Sequence, residues 1–169
     1  DELANIRFML DFDGGGRAGR QGFMLHGWPA LKPFFREITA VIGVDVPVWQ
    51  GVFPGGDHWT FLKKGIPVSC IGDPEEETPW KHRGFGHTIY DTVDKADLRL
   101  IRECVANAAI AAVRMANTDE WPVEHLSKDK VDRLIEGLGY RETEELRDKL
   151  KEYLSARLDR LRPEAKVYL

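Results

Sequence analysis

The stretch that gathers the most potential chemistry is Gly84-Phe85-Gly86-His87-Thr88-Ile89-Tyr90-Asp91-Thr92. It sets one imidazole between glycine-rich turns, a hydroxyl directly after it, and a carboxylate four residues on. A neutral imidazole is a good zinc ligand, best when its second ring nitrogen is tied to an acceptor that fixes the tautomer. His87 is therefore a candidate ligand, with Asp91 or a nearby carbonyl as its orienting partner. Taken alone, the stretch reads more simply as a surface loop whose polar cluster ends a strand, because one histidine makes no metal site.

Two upstream stretches change that balance. Residues 6–12, Ile-Arg-Phe-Met-Leu-Asp-Phe, read as a mostly apolar strand covered on both faces. They run into Asp13-Gly14-Gly15-Gly16. A carboxylate after a buried strand, followed by a flexible turn, stands where open α/β sheets place functional groups. The glycines are no dinucleotide fingerprint, since loop follows them instead of a helix. A turn or capping role competes for Asp13, and Asp11 reads as a strand carboxylate at the sheet edge. The second stretch, Pro54-Gly55-Gly56-Asp57-His58-Trp59, delivers Asp57 and His58 to the start of a short helix. Asp57 suits either a cap of that helix or a place in an active site.

Asp13, the Asp57–His58 pair and His87 thus each follow a strand or a turn, and such ends can converge on one crevice of a covered α/β sheet. Asp13 and His87 offer the oxygen and nitrogen that zinc takes. A zinc hydrolase needs about three protein ligands and a water, so this set is incomplete.

The remaining elements position those groups. Residues 23–27 suggest a short strand in which His26 is a partly buried structural imidazole. Trp28-Pro29 opens a helix whose stripe is Leu31, Phe34, Phe35, Ile38 and Ile42, stopped by Gly43. Residues 44–49 carry Pro47, which favours an edge strand. Lys63-Lys64-Gly65 ends the short helix, and residues 66–72 form a buried strand. Residues 73–81 read as an exposed acidic loop. Asp94 suits the cap of a long helix to about residue 117, packed through Leu98, Ile101, Val105, Ala108, Ala112 and Met115. Ser127 suits the cap of a short helix. A last helix, residues 142–161, sets Leu146, Leu150, Leu154, Leu158 and Leu161 on one side and a charged surface on the other.

Three motifs in order resemble the zinc aminopeptidases with co-catalytic metals. They are Leu-Asp-Phe-Asp13, then Gly-Gly-Asp57-His58-Trp-Thr-Phe-Leu-Lys-Lys-Gly-Ile-Pro, then Gly-His87-Thr-Ile-Tyr-Asp91-Thr. That superfamily also holds glutamate carboxypeptidase, glutaminyl cyclase and the transferrin receptor. The resemblance covers residues 6–116. It implies a mixed sheet covered by helices on both faces and a site of two zinc ions held by a His, a bridging Asp, a Glu, a second Asp and a second His. It places the second Asp at Asp13 and the second His at His87 as metal ligands. Asp57, His58 and Asp91 would line the site or support those ligands. Gly56 departs from the family's usual Ser or Asp before Asp57.

The first His, the bridging Asp, the Glu ligand and the general-base Glu would all precede residue 1. The resemblance thus implies the carboxyl-terminal half of a metallopeptidase, residues 1–118, incomplete at its amino-terminal side, with residues 119–169 as a helical appendage. The expected function is metal-activated hydrolysis of peptide bonds, with the activity of this chain alone left open. A missing half or another chain would complete the site. Two other readings stand beside it: a non-catalytic relative that serves as an interaction module, and a cyclase-like enzyme with one zinc. The leucine side of the last helix would then dock on a second copy.

A net charge of −4 on 169 residues, with basic residues scattered, points to no nucleic-acid surface. Cys70 and Cys104 lack metal spacing and read as two buried free thiols. The longest apolar run is too short to span a bilayer, and no signal segment is visible. A soluble protein is expected, with a cytoplasmic setting slightly favoured.

Overall fold

Each buried apolar run becomes a strand, though a shorter one than its hydrophobicity suggests. The computed structural model describes residues 2–13, 20–41, 43, 45–72, 88–138 and 141–158. Strands β1 (Met9–Asp11), β2 (Gly22–Leu25), β3 (Val48–Gln50) and β4 (Val68–Gly72) form one sheet in the order β1-β4-β2-β3. β1 is parallel to β4, β4 antiparallel to β2, and β2 parallel to β3. The sheet is therefore mixed, as the family resemblance implies. β1 begins at Met9 because only Met9, Leu10 and Asp11 find partners on β4. β3 lies at the opposite edge, with Pro47 just ahead of it.

Pleating sorts the side chains by face. The register aligns Met9 with Val68, and Asp11 with Cys70 and Met24, on one face. Leu10, Ser69 and Leu25, with Phe23 and Ile71, point to the other. Helix α1 (Leu31–Ala40) covers this second face through Leu31, Phe35 and Ile38, all buried. Its Phe35 ring stands 4.9 Å from Phe23 and 5.7 Å from Phe8. Trp28 and Pro29 form the turn ahead of α1, and Gly43, at φ 76°, follows the helix. Ile42, the last residue of the expected stripe, lies outside the described residues. Helix α2 (His58–Leu62) packs against β1 and β4 and brings His58 to the face that carries Asp11 and Cys70. The sheet thus has helices on both faces.

Helix α3 (Leu98–Ala116) packs beside α1 on a stripe that keeps Ala108 and Met115 of the expected one but is rotated at its start. Leu100, Cys104, Asn107, Ala108, Ala111 and Met115 are buried, whereas Leu98 and Val105 are exposed. Two features fix this face. Asp97, not Asp94, caps the helix by accepting hydrogen bonds from the amides of Arg99 and Leu100. Asn107 donates its side-chain amide to the Gln21 carbonyl at 3.1 Å. A periodicity count cannot see a buried asparagine with a partner waiting.

The next segment folds back on the sheet domain. Leu126 N–H donates to the Gly65 carbonyl at 2.8 Å, and Trp28 donates its indole N–H to the Glu124 carbonyl. Trp121 meets Phe8 and Phe34 edge-on. The first compact unit is accordingly Asp1–Val131, reaching past the boundary at residue 118 that the sequence suggests. The second is Asp132–Leu169. Helix α4 (Lys128–Gly137) starts directly after Ser127, and α5 (Arg141–Leu158) follows. Among the described residues no helix is long and apolar enough to cross a membrane.

Candidate functional site

The chemistry gathers on the face that α2 covers. Asp11, in the last position of β1, is buried there. An ionised carboxylate out of water must be paired and hydrogen-bonded. Asp11 Oδ2 accepts from His58 Nδ1 at 2.9 Å and from the His58 backbone amide at 3.4 Å. Asp11 Oδ1 accepts from the Asp13 backbone amide at 3.0 Å. The His58 hydrogen bond, strengthened by the Asp13 amide and opposed by burial, holds the Asp11 carboxyl down to about 2.

His58 is wired on both sides. Its Nε2 faces the Phe53 carbonyl at 3.0 Å, while Nδ1 faces Asp11. A carbonyl and a carboxylate are both acceptors, so both contacts are satisfied only when each ring nitrogen carries a hydrogen. His26 lies beside it, with ring centroids 4.4 Å apart. Phe53 N–H donates to His26 Nδ1 at 3.4 Å, which assigns the ring hydrogen to Nε2. That nitrogen stands 3.2 Å from Cys70 Sγ, and the thiol in turn points at Asp11 Oδ2, 3.8 Å away. Burial first, and then the neighbouring His58, lower the His26 pKa to about 3. Burial, followed by the Asp11 charge, pushes the Cys70 thiol up, so it stays protonated.

The contacts close a ring: Phe53 N–H to His26, His26 to Cys70, Cys70 to Asp11, His58 to Asp11, and His58 to the Phe53 carbonyl. By distance, His26, His58 and Cys70 form a group that can hold one metal ion, their ligand atoms lying within 4.8 Å of one another. By chemistry two imidazoles and a thiolate are zinc ligand types, but here the group is tied up in hydrogen bonds. Zinc needs lone pairs from its ligands. Each of these ligand atoms is engaged in a hydrogen bond of the ring, so a zinc ion there would displace those bonds and release the thiol proton. The ring is a hydrogen-bonded frame around Asp11.

The sequence-derived site residues are placed as follows. Asp13 is exposed in the turn after β1, its amide fastened to Asp11. His58 is buried in the ring. Asp57 occupies the cap position of α2 but makes no capping hydrogen bond. Its backbone is already helical, at φ −71° and ψ −33°, so its side chain does not play the cap's part, and it is exposed. Asp91 is exposed in a turn closed by its amide on the Thr88 carbonyl. His87 and the acidic loop of residues 73–81 lie outside the described residues.

His26, expected to be partly buried, is fully buried, and Cys70 and Cys104 are buried free thiols. What sequence reasoning missed is that Asp11 and Cys70 belong with the histidines. The available signal was a carboxylate in an otherwise apolar strand, which demands a buried partner. A cleft of ≈ 440 Å³ is lined by Arg36, Thr39, Asp45 and Val48 among others. It shares no residue with the ring and carries no imidazole or thiol.

Comparison with known proteins adds one match. The family model for peptidase family M28 matches residues 1–113. No curated protein and no solved structure matches the chain.

Proposed function

The chain belongs to peptidase family M28, whose members are zinc-dependent, and on that premise we propose that it forms part of an aminopeptidase-like hydrolase. Asp13 and His87 are the proposed metal ligands, in a complete site of two zinc ions. Asp57, His58 and Asp91 line or support that site. The remaining ligands and the general-base glutamate come from a segment or chain outside these residues. Bound zinc would supply a water acidified to a pKa of about 7 and a polarised peptide carbonyl.

One observation carries the reading. β1 and β4 are parallel neighbours, so the chain leaves both at the same end of the sheet. The Asp13 turn follows β1 there, and the segment that leads to His87 follows β4. Asp13 also suits a ligand better than Asp11 does. Three donors occupy one oxygen of Asp11, whereas Asp13 has its backbone pinned and its carboxylate exposed. The role of this chain's residues is then to bind and orient. Asp11 fixes the turn that carries the exposed Asp13.

A second reading, an interaction module without catalysis, has support of its own. Leu146 and Leu150 of α5 are 68% and 54% exposed, a face suited to a second copy of the chain. Zinc uptake separates the two. The hydrolase reading expects the purified chain to bind zinc and to melt at a higher temperature with it, with both effects lost in Asp13→Asn and in His87→Asn. A chain that neither takes up zinc nor gains stability from it leaves the interaction reading in place.

A further inference from the structure

We propose that Asp11 is a positioning residue that sets the placement of two exposed carboxylates, Asp13 and Asp57, one through each of its oxygens. Oδ1 holds the Asp13 amide at 3.0 Å. Oδ2 holds His58 twice, through Nδ1 and through the backbone amide, and Asp57 is the residue directly before it. Each exposed carboxylate therefore sits within two residues of an anchor on the same buried group.

Three features make this a bracket instead of a lone buried contact. The ring through Phe53, His26 and Cys70 returns to Oδ2, so that oxygen cannot rotate away and exchange places with Oδ1. The same ring takes both the amide and the carbonyl of Phe53, which fixes the other end of the segment carrying Asp57. Between them, Gly56 adopts φ +75° and passes so close that an added Cβ would stand 3.2 Å from both Asp11 Oδ2 and His58 Nδ1. The turn needs glycine for its conformation and for its approach. A frame that only filled the core would work with apolar side chains, since buried ion pairs bring little net stability. This one ends on two solvent-facing carboxylates.

The consequence for metal rests on the reading that Asp13 is a ligand. Partners that orient a ligand typically change metal affinity by about 10–100-fold when removed. The experiment pairs amide hydrogen exchange with zinc titration on the full chain, for wild type, Asp11→Ala, Asp11→Asn and Cys70→Ser. In Asp11→Ala the Asp13 and His58 amides should both exchange at least about 10-fold faster, and zinc should bind about 10–100-fold more weakly. Asp11→Asn keeps an oxygen for Asp13 but sets an NH₂ against His58, so only the His58 amide should lose protection. Cys70→Ser keeps a donor to Oδ2 and should stay within about threefold of wild type on both readouts. Unchanged Asp13 exchange in Asp11→Ala, or loss of both amides in Asp11→Asn, would overturn the bracket. So would wild-type zinc affinity in a folded Asp11→Ala protein. If wild type binds no zinc, the metal reading fails separately. The asparagine variant then decides the bracket alone, through selective loss at His58 or loss at both amides.

Discussion

His26 offers a sharp test of the buried frame, through the pH dependence of stability. Its ring is fully buried and its pKa falls from 6.5 to about 3. Above pH 6.5 the ring is neutral whether the chain is folded or not, so folding is not penalised. Below that value the unfolded chain takes up a proton that the folded ring refuses, and stability falls until pH reaches about 3. One proton corresponds to about 1.36 kcal/mol per pH unit, so from pH 6.5 to 4.5 the loss is roughly 2.7 kcal/mol. That is a large share of the ~5–15 kcal/mol typical of a domain. Gln at this position can still accept the Phe53 amide and donate to Cys70, yet it does not titrate. Urea unfolding of wild type and His26→Gln at pH 7, 6, 5 and 4.5 isolates the effect. The variant starts less stable at pH 7, because the fit of the ring is lost, and the gap should narrow by roughly 2–3 kcal/mol toward pH 4.5. Parallel curves would refute the neutral, hydrogen-bonded His26 on which the ring depends.

Two further outcomes follow from packing and exposure. In Gly65→Ala, the new Cβ would stand 2.0 Å from the Leu126 carbonyl oxygen at φ +78°, where the 118–131 segment docks. The backbone must move and lose the Leu126–Gly65 hydrogen bond, so calorimetry should find a drop of roughly 3 kcal/mol, or about 6–12 °C; an unchanged melting temperature would refute the docking. For α5, light scattering on a dilution series should show wild type self-associating and Leu146→Asp/Leu150→Asp monomeric, with the sheet domain melting as before. Wild type that stays monomeric at high concentration removes the second-copy partner.

Much of this fold is legible from punctuation and apolar runs. Gly43 and Gly65 follow α1 and α2 with positive φ, where the sequence sets the helix stops, and the run ahead of Gly72 is a central strand. The α3 face was legible only in part: Ala108 and Met115 are buried as read, but Leu98 and Val105 fit the helical period as well as Leu100 and Cys104 do. The cap at Asp97 and the Asn107–Gln21 bond decide between them. The frame around Asp11 was legible only in part. Asp57 and His58 stand out as neighbours, but the ring draws on residues 11, 26, 53, 58 and 70, from strands, a loop and a helix. Spacing along the chain carries no trace of such a ring. It follows from sheet order, which lays Asp11, Cys70 and Met24 side by side across three strands.

The claim that Asp13 and His87 share a zinc site is tested most directly by anomalous scattering at the zinc edge, from crystals of this chain grown with zinc. The account predicts a peak with the Asp13 carboxylate and the His87 imidazole at about 2.0–2.2 Å, and His26, His58 and Cys70 still joined in their ring. A peak centred on His26, His58 and Cys70, or Asp13 and His87 too far apart to share one ion or a pair of ions, would contradict it.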